Sequence, residues 1–209
     1  MLKAYYNRDV IEAGLDEVGR GCLAGPVVAA AVILPKDYSH SYLNDSKQLT
    51  KLQRIELEKE IIREALSYAV AEVDNFEIDK TNILKASFLA MHRAVDKLHM
   101  KPEHLLVDGN RFTPYPLIPH TCIIKGDAHY LSIAAASVLA KNYRDELMCS
   151  LANQFPHYGW ETNVGYPTIH HRKALSLHGP CSYHRMTFRL FKTVENQSVE
   201  EEAEDLGFL

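Results

Sequence analysis

Apolar and polar positions change period along the chain, and each change marks an element. Residues 10–16 and 26–34 read as β, the second an almost unbroken Val/Ala/Ile run of the kind found in strands covered on both faces. A glycine-rich turn joins them. Thr50 is the expected N-cap of a helix running to about Leu66, and residues 67–73 alternate as a further strand. Ile83, Leu84, Phe88, Met91, Ala94, Val95 and Leu98 then recur at helical spacing, followed by two short strands, 104–107 and 120–124. A long helix is expected from Tyr130 to about Leu151, its run of serines and alanines from Ser132 to Ser137 allowing close packing on a sheet. A turn at 154–159 precedes a last helix, about 168–177, which Gly179-Pro180 ends. Two strands, a helix, a strand, a helix, two strands and then helices describe a mixed α/β layer fold.

Composition adds limits to that picture. A chain of 209 residues that is 46% hydrophobic can bury one substantial core. No apolar run approaches the roughly 20 residues needed to span a bilayer, and the start lacks the apolar stretch of a signal peptide, so a soluble, cytoplasmic protein without a membrane partner is expected. Cys22, Cys122, Cys149 and Cys181 lie far apart with no Cys-x-x-Cys, which suits reduced thiols. The net charge of -4 speaks against a nucleic-acid partner until its distribution is read. Residues 193–209 hold six acids and neither Lys nor Arg, and a tail of that composition is expected to be disordered. The remainder is slightly basic. Within 141–192, Lys141, Arg144, Arg172, Lys173, Arg185, Arg189 and Lys192 outnumber the acids and five histidines sit among them, a region able to face phosphates; His170, His171, His178 and His184 are expected to be surface or phosphate-facing groups.

The stretch GLDEVGRGCLAGP, residues 14–26, sets Asp16 and Glu17 side by side in an apolar, glycine-rich context. Acids are almost never fully buried unless something positive pairs with them, and Arg20 is the only base nearby. Asp108 and Asp127 also follow predicted strands, where α/β sheets gather their ligand and catalytic groups. Each acid has an ordinary explanation: an ion pair with Arg20 for Asp16, a turn for Asp108-Gly109, an N-cap for Asp127. Four together at one sheet end would repel one another without a cation, and hard divalent ions such as Mg²⁺ take carboxylate oxygens. Two such ions could activate a water and stabilise a leaving oxygen in phosphodiester hydrolysis. Because strand neighbours point to opposite faces, β structure is expected to end or bulge at Asp16-Glu17 if both acids reach one ion.

Other chemistries fit less well. There is no Gly-x-Ser-x-Gly elbow, no Walker loop and no His-Glu-x-x-His. A noncatalytic nucleic-acid-binding module would use the basic region but has no need of four convergent acids.

GLDEVGRGCLAGPVVAAAV, NDSKQLT, LLVDGN, KGDAHYLSIAAASVLAK, YRDELM, GYPT and HGPCSYHR, in this order across residues 10–190, together resemble the ribonuclease HII family. The resemblance implies an RNase H-like fold: a mixed central sheet flanked by helices, with a small helical C-terminal extension. It implies one catalytic domain over 1–192, with its basic helical part at about 141–192 and the acidic tail at 193–209. The implied activity is metal-dependent endonucleolytic cleavage on the 5′ side of a ribonucleotide, in RNA–DNA hybrids or embedded in duplex DNA, leaving 3′-hydroxyl and 5′-phosphate ends. Asp16, Glu17, Asp108 and Asp127 are the implied catalytic and metal-binding acids, holding Mn²⁺ or Mg²⁺, two ions with substrate bound. Gly19, Arg20, Gly21 and Tyr166 are the implied contacts to the 2′-hydroxyl, adjoining phosphate and neighbouring sugar, and Lys47 is expected at a phosphate. A monomer is expected. Val164 stands where the family commonly has Lys, and Thr187 where it usually has Ser. The sister family, ribonuclease HIII, carries a sizeable extra N-terminal domain; 15 residues precede Asp16 here, which favours the HII branch. A resolvase or integrase of the same fold would share the acids but not the Gly-Arg-Gly and Tyr166 pair. No sliding-clamp peptide is assigned, since Glu200 stands three residues after Gln197.

Overall fold

A computed structural model describes residues 2–41, 43 and 49–191. Lys47 and the acidic tail lie outside the described residues. Among the described residues, five strands form one sheet in the order β3-β2-β1-β4-β5, built from β1 (Glu12–Val18), β2 (Val27–Ile33), β3 (Ser67–Val73), β4 (His104–Asp108) and β5 (His120–Ile123). β1, β2 and β3 are antiparallel neighbours, whereas β4 joins β1 in parallel and β5 joins β4 in parallel. The mixed sheet flanked by helices is the expected fold class.

Among the described residues, six helices accompany it: α1 (Lys51–Glu64), α2 (Asn75–Lys80), α3 (Ile83–Asp96), α4 (Leu131–Gln154), α5 (Trp160–Asn163) and α6 (Ile169–His178). Thr50 caps α1 through a reciprocal box with Gln53, and Thr168 caps α6 through the His171 amide. The short helices α2 and α5 were not separable from their neighbours by periodicity, because six and four residues hold too few turns to show a period.

β2, VVAAAVI, is buried at every position because both of its faces are covered. Ala29, Ala31 and Ile33 join Leu15, Val107 and the apolar side of α3 in one core. Val28, Ala30 and Val32 join Leu57 and Ile61 of α1 and Ala134–Ala136 of α4 in a second. A third core lies beyond the sheet, where Met148 and Leu151 of α4 meet Trp160, Leu175 and Leu190.

Helix α4 approaches the sheet backbone closely at Gly14. A Cβ there would lie 2.3 Å from the Ser132 carbonyl carbon in the α4 backbone. That approach fixes which α4 residue overlies which strand position. Ser137, further along α4, then hydrogen-bonds Asp16, two residues further along β1. Gly14→Ala should therefore push α4 off the sheet and lower stability by about 3 kcal/mol or more, the upper range for overpacking a core. Calorimetric melting checks this; a Tm within a degree of wild type would mean that the approach is not tight.

Candidate active site

β1 and β4 run parallel with Leu15 opposite Val107, so Asp16 and Asp108 emerge as neighbours at the same end of the sheet. Leu15 and Val107 both belong to the α3-side core, which sends Asp16 and Asp108 to the α4 side by alternation. Asp127 reaches that side from the 3-10 turn Gly126–Ala128 just before α4. The turn is pinned to β4: the Gly126 amide donates to Asp108 Oδ1 at 2.7 Å, after Lys125 has turned the chain in the left-handed region.

Glu17 departs from the expectation. The strand neither ends nor bulges at Asp16-Glu17, since the pairing with β2 continues in register through Glu17↔Ala29 to Val18↔Val28. β2 extends beyond the point where β4 stops, and that longer partner keeps β1 regular. The Glu17 carboxylate nonetheless stays within electrostatic reach of Asp16 and Asp108. Arg20 pairs with Glu17, its Nη1 3.1 Å from Glu17 Oε1, so the ordinary explanation of Asp16 as its ion-pair partner does not hold. Among the described residues, no three His, Cys, Asp or Glu side chains are arranged as a ready cluster for an ion.

The acids nevertheless share one electrostatic environment. Burial holds the Asp16 carboxyl well above the usual carboxylate range, and the charges of Glu17, Asp108 and Asp127 push the same way, against a Ser137 hydrogen bond. The Glu17 amide also donates to Asp16 Oδ1 at 2.7 Å. Glu17 itself is raised by burial, with Arg20 opposing. Such a set is short of positive charge, and its oxygens are the donors that hard divalent ions select.

Next to the acids the backbone forms a cradle. Gly19, with φ of +92°, and exposed Gly21 flank Arg20, whose side chain is half exposed. A Cβ on Gly21 would lie 4.0 Å from Tyr166 Cε1, so Gly-Arg-Gly and Tyr166, remote in sequence, face each other. Two arginines hold this arrangement from beneath. Arg185 donates to the carbonyls of Gly19 (2.7 Å), Arg20 (3.0 Å) and Gly25 (3.0 Å). Arg144 donates to those of Ala24 (3.1 Å), Pro26 (3.1 Å) and Val164 (2.8 Å). Both are fully buried, and among the described residues no carboxylate lies within ion-pair distance of either.

These are corrections to the sequence reading, which set Arg144, Arg185, His171 and His184 on a phosphate-facing surface. All four are buried. Counting charge along a segment gives no sign of which guanidiniums turn inward to bind carbonyls. The segment Gly19–Pro26, with three glycines whose amide and carbonyl groups need partners, was the available signal.

The two departures from the family pattern also find places. Val164 takes φ of +41°, rare for a β-branched residue, and its carbonyl is held by Arg144. Thr187 donates its hydroxyl to Asp79 at 2.6 Å, a contact a serine could make equally.

With this geometry in view, comparison with known proteins decides the family. The family model described as Ribonuclease HII matches residues 13–194. The chain belongs to the ribonuclease HII family. The ribonuclease HII of Bacteroides thetaiotaomicron is 63% identical over 190 residues, covering 91% of this chain and 95% of that protein. The ribonuclease H2 of Pyrococcus horikoshii OT3 is similar in structure, with a TM-score of 0.72 at 25% identity over 91% of this chain and 97% of that one. Ribonuclease HII of Archaeoglobus fulgidus, solved as a complex with PCNA, gives 0.70 at 27% identity over 89% and 99%. Membership of ribonuclease HII makes the protein an RNase H endonuclease. None of the described helices is long and apolar enough to cross a membrane.

The two glycines of the cradle should behave differently. Gly19→Ala places a Cβ 2.3 Å from Arg144 Nε at a φ that alanine rarely adopts, whereas Gly21→Ala meets only ordinary contact. Melting curves should show Gly19→Ala several degrees below wild type and Gly21→Ala within about a degree, since surface changes away from special features stay near ±0.5 kcal/mol. Equal Tm values would contradict the packing described.

The buried histidines predict an acid-side loss of stability. Burial, with His171 beside it, holds His184 down at about 4, and burial also lowers His171. The folded state therefore takes up fewer protons than the unfolded chain, whose histidines titrate near 6.5. The stability is fully present above roughly pH 6.5 and is lost as pH falls towards 4, by on the order of 3 kcal/mol for His184 at about 1.4 kcal/mol per pH unit. Denaturant melts from pH 7.5 to 4.5 should fall more steeply for wild type than for His184→Gln; parallel slopes would contradict the assignment.

Proposed function

We propose that this RNase H endonuclease hydrolyses the phosphodiester bond on the 5′ side of a ribonucleotide, in RNA–DNA hybrids and at ribonucleotides embedded in duplex DNA, leaving 3′-hydroxyl and 5′-phosphate ends. The observation that carries this reading is the pairing of two unlike features at one edge of the sheet. Mutually repelling acids stand beside a side-chain-poor loop that faces an aromatic ring.

Asp16, Glu17, Asp108 and Asp127 would hold Mg²⁺ or Mn²⁺ in this reading, and their all-oxygen donor set suits such ions. When bound, two ions supply a nucleophilic water at neutral pH and stabilise the departing oxygen. The protein's own contribution is placement. Asp108 accepts from the Gly126 amide and thereby fixes the turn that carries Asp127. Ser137 and the Glu17 amide orient Asp16, and Arg20 restrains Glu17. Orientation of this kind is what converts carboxylates into a preorganised site.

Recognition needs different groups, because acids holding phosphate oxygens do not sense whether a sugar carries a 2′-hydroxyl. That hydroxyl is what distinguishes RNA from DNA, and a backbone without Cβ atoms can approach it closely. In this reading Arg20 and exposed Gly21 offer that backbone, buried Gly19 shapes the turn beneath it, and Tyr166, 37% exposed, rests against the adjoining sugar. Exposed bases, Arg20 among them, would meet phosphates, and binding would weaken with rising salt accordingly.

The direct test is cleavage of a duplex carrying one ribonucleotide beside an all-DNA duplex, in Mg²⁺ and in Mn²⁺. Cutting of the first alone, dependent on the ion, is expected; equal cutting of both would overturn the specificity. Asp16→Asn and Asp108→Asn should each lower turnover by roughly a hundredfold or more, the scale of losing one preorganised electrostatic group. Neither should melt below wild type without metal, because like-charge repulsion is relieved. Near-normal rates in both variants would sink the assignment of the acids.

A further inference from the structure

Behind Tyr166 lies a line of hydrogen bonds in which the position of every proton is forced. The Cys181 amide donates to His184 Nδ1 at 2.9 Å, and an amide can only donate. His184 therefore carries its proton on Nε2, which faces His171 Nε2 at 3.1 Å. Trp160 Nε1, also a donor only, points at the same His171 nitrogen from 3.1 Å. His171 Nε2 is therefore the bare acceptor, and Nδ1–H donates to the Tyr166 carbonyl at 2.9 Å, an oxygen that can only accept. Both rings are buried and neutral, with opposite tautomers.

The line begins beside the residue that grips the other half of the cradle. His184 adjoins Arg185, whose guanidinium holds the Gly19 and Arg20 carbonyls. From one dipeptide, contacts run one way to Gly-Arg-Gly and the other way, through His171, to Tyr166. α2 anchors that dipeptide from behind. Asn75 Nδ2 donates to the Ser182 and His184 carbonyls at 2.9 and 3.2 Å, and Asp79 accepts from the Met186 and Thr187 amides.

We propose that His171 is a positioning residue for recognition: its Nδ1–H, made a donor by the tautomer that His184 and Trp160 impose on the ring, sets the Tyr166 backbone against the Gly-Arg-Gly loop and thereby sets selectivity for a single embedded ribonucleotide. The inference rests on the reading of Tyr166 as a sugar contact. The Thr168 amide also donates to the Tyr166 carbonyl, at 2.8 Å, so losing His171 loosens that carbonyl without freeing it. The effect is accordingly that of one neutral hydrogen bond.

Two substitutions separate the ends of the ring. His171→Gln retains a distal acceptor for Trp160 and His184 but has no donor at the Nδ1 position, whereas His171→Asn retains the near donor and gives up the distal acceptor. The readout is kcat/KM on a duplex with one ribonucleotide, divided by kcat/KM on a long RNA–DNA hybrid, where further 2′-hydroxyls hold the strand. His171→Gln should lower this ratio about three- to tenfold, the effect of roughly one hydrogen bond. His171→Asn should leave it near wild type, and in a Tyr166→Ala background His171→Gln should add nothing. Equal shifts in the two His171 variants, or an additive loss on Tyr166→Ala, would overturn the inference. If Tyr166→Ala itself leaves the ratio unmoved, the reading of Tyr166 fails first. Nitrogen-15 spectra of the wild-type imidazoles provide a check that needs no variant: His171 must show the Nδ1–H tautomer and His184 the Nε2–H tautomer, and the reverse pattern would refute the relay.

Discussion

Two guanidinium groups buried under a glycine-rich loop are the constraint on which the rest of the site depends. Removing a guanidinium from water costs several kcal/mol even after relaxation. Here each is repaid by three charge-assisted bonds to carbonyls, of about 1.5–3 kcal/mol apiece. Because the planar fork of Arg fixes the directions of its donors, Arg144 and Arg185 hold six carbonyls in defined relative positions. Those carbonyls belong to the loop after β1 and to Val164, beside Tyr166. A loop with three glycines would otherwise sample many shapes. The same buried cations raise the local positive potential beneath the surface proposed to meet the nucleic acid.

A second framework carries the acids. The close approach at Gly14 seats α4 on β1, and the parallel pairing of β1 with β4 brings Asp16 and Asp108 together. The two frameworks meet along the short stretch from Asp16 to Gly21 and through Arg144, which lies on α4 and binds the cradle. Changes to the acids that leave Arg144 and Arg185 in place should leave the cradle carbonyls held.

Much of this was legible in the residue pattern. β2 announced itself by an unbroken apolar run, and the Thr50 and Thr168 caps by residue type and position. The gathering of Asp16, Asp108 and Asp127 followed from strand ends. What the pattern did not carry were facts of direction. Glu17 stays in a regular strand because of the length of β2, a property of the partner and not of the local sequence. His171, His184, Arg144 and Arg185 read as surface groups because charge and aromatic nitrogen usually lie outside, and only tertiary packing supplies the carbonyls and rings that satisfy them inside.

The central claim is that recognition is held by the guanidinium-bound cradle and bond breaking by the acids. Arg185→Lys tests it most directly, because an ammonium keeps the charge but not the planar fork whose three nitrogens reach three carbonyls. The measurement is cleavage of a duplex with one embedded ribonucleotide, made beside calorimetric Mn²⁺ binding on the same folded variant. The account predicts cleavage reduced at least about tenfold, since roughly 1 Å of misplacement can cost about a hundredfold, with Mn²⁺ affinity unchanged. Undiminished cleavage, or loss of Mn²⁺ binding together with cleavage, would contradict it.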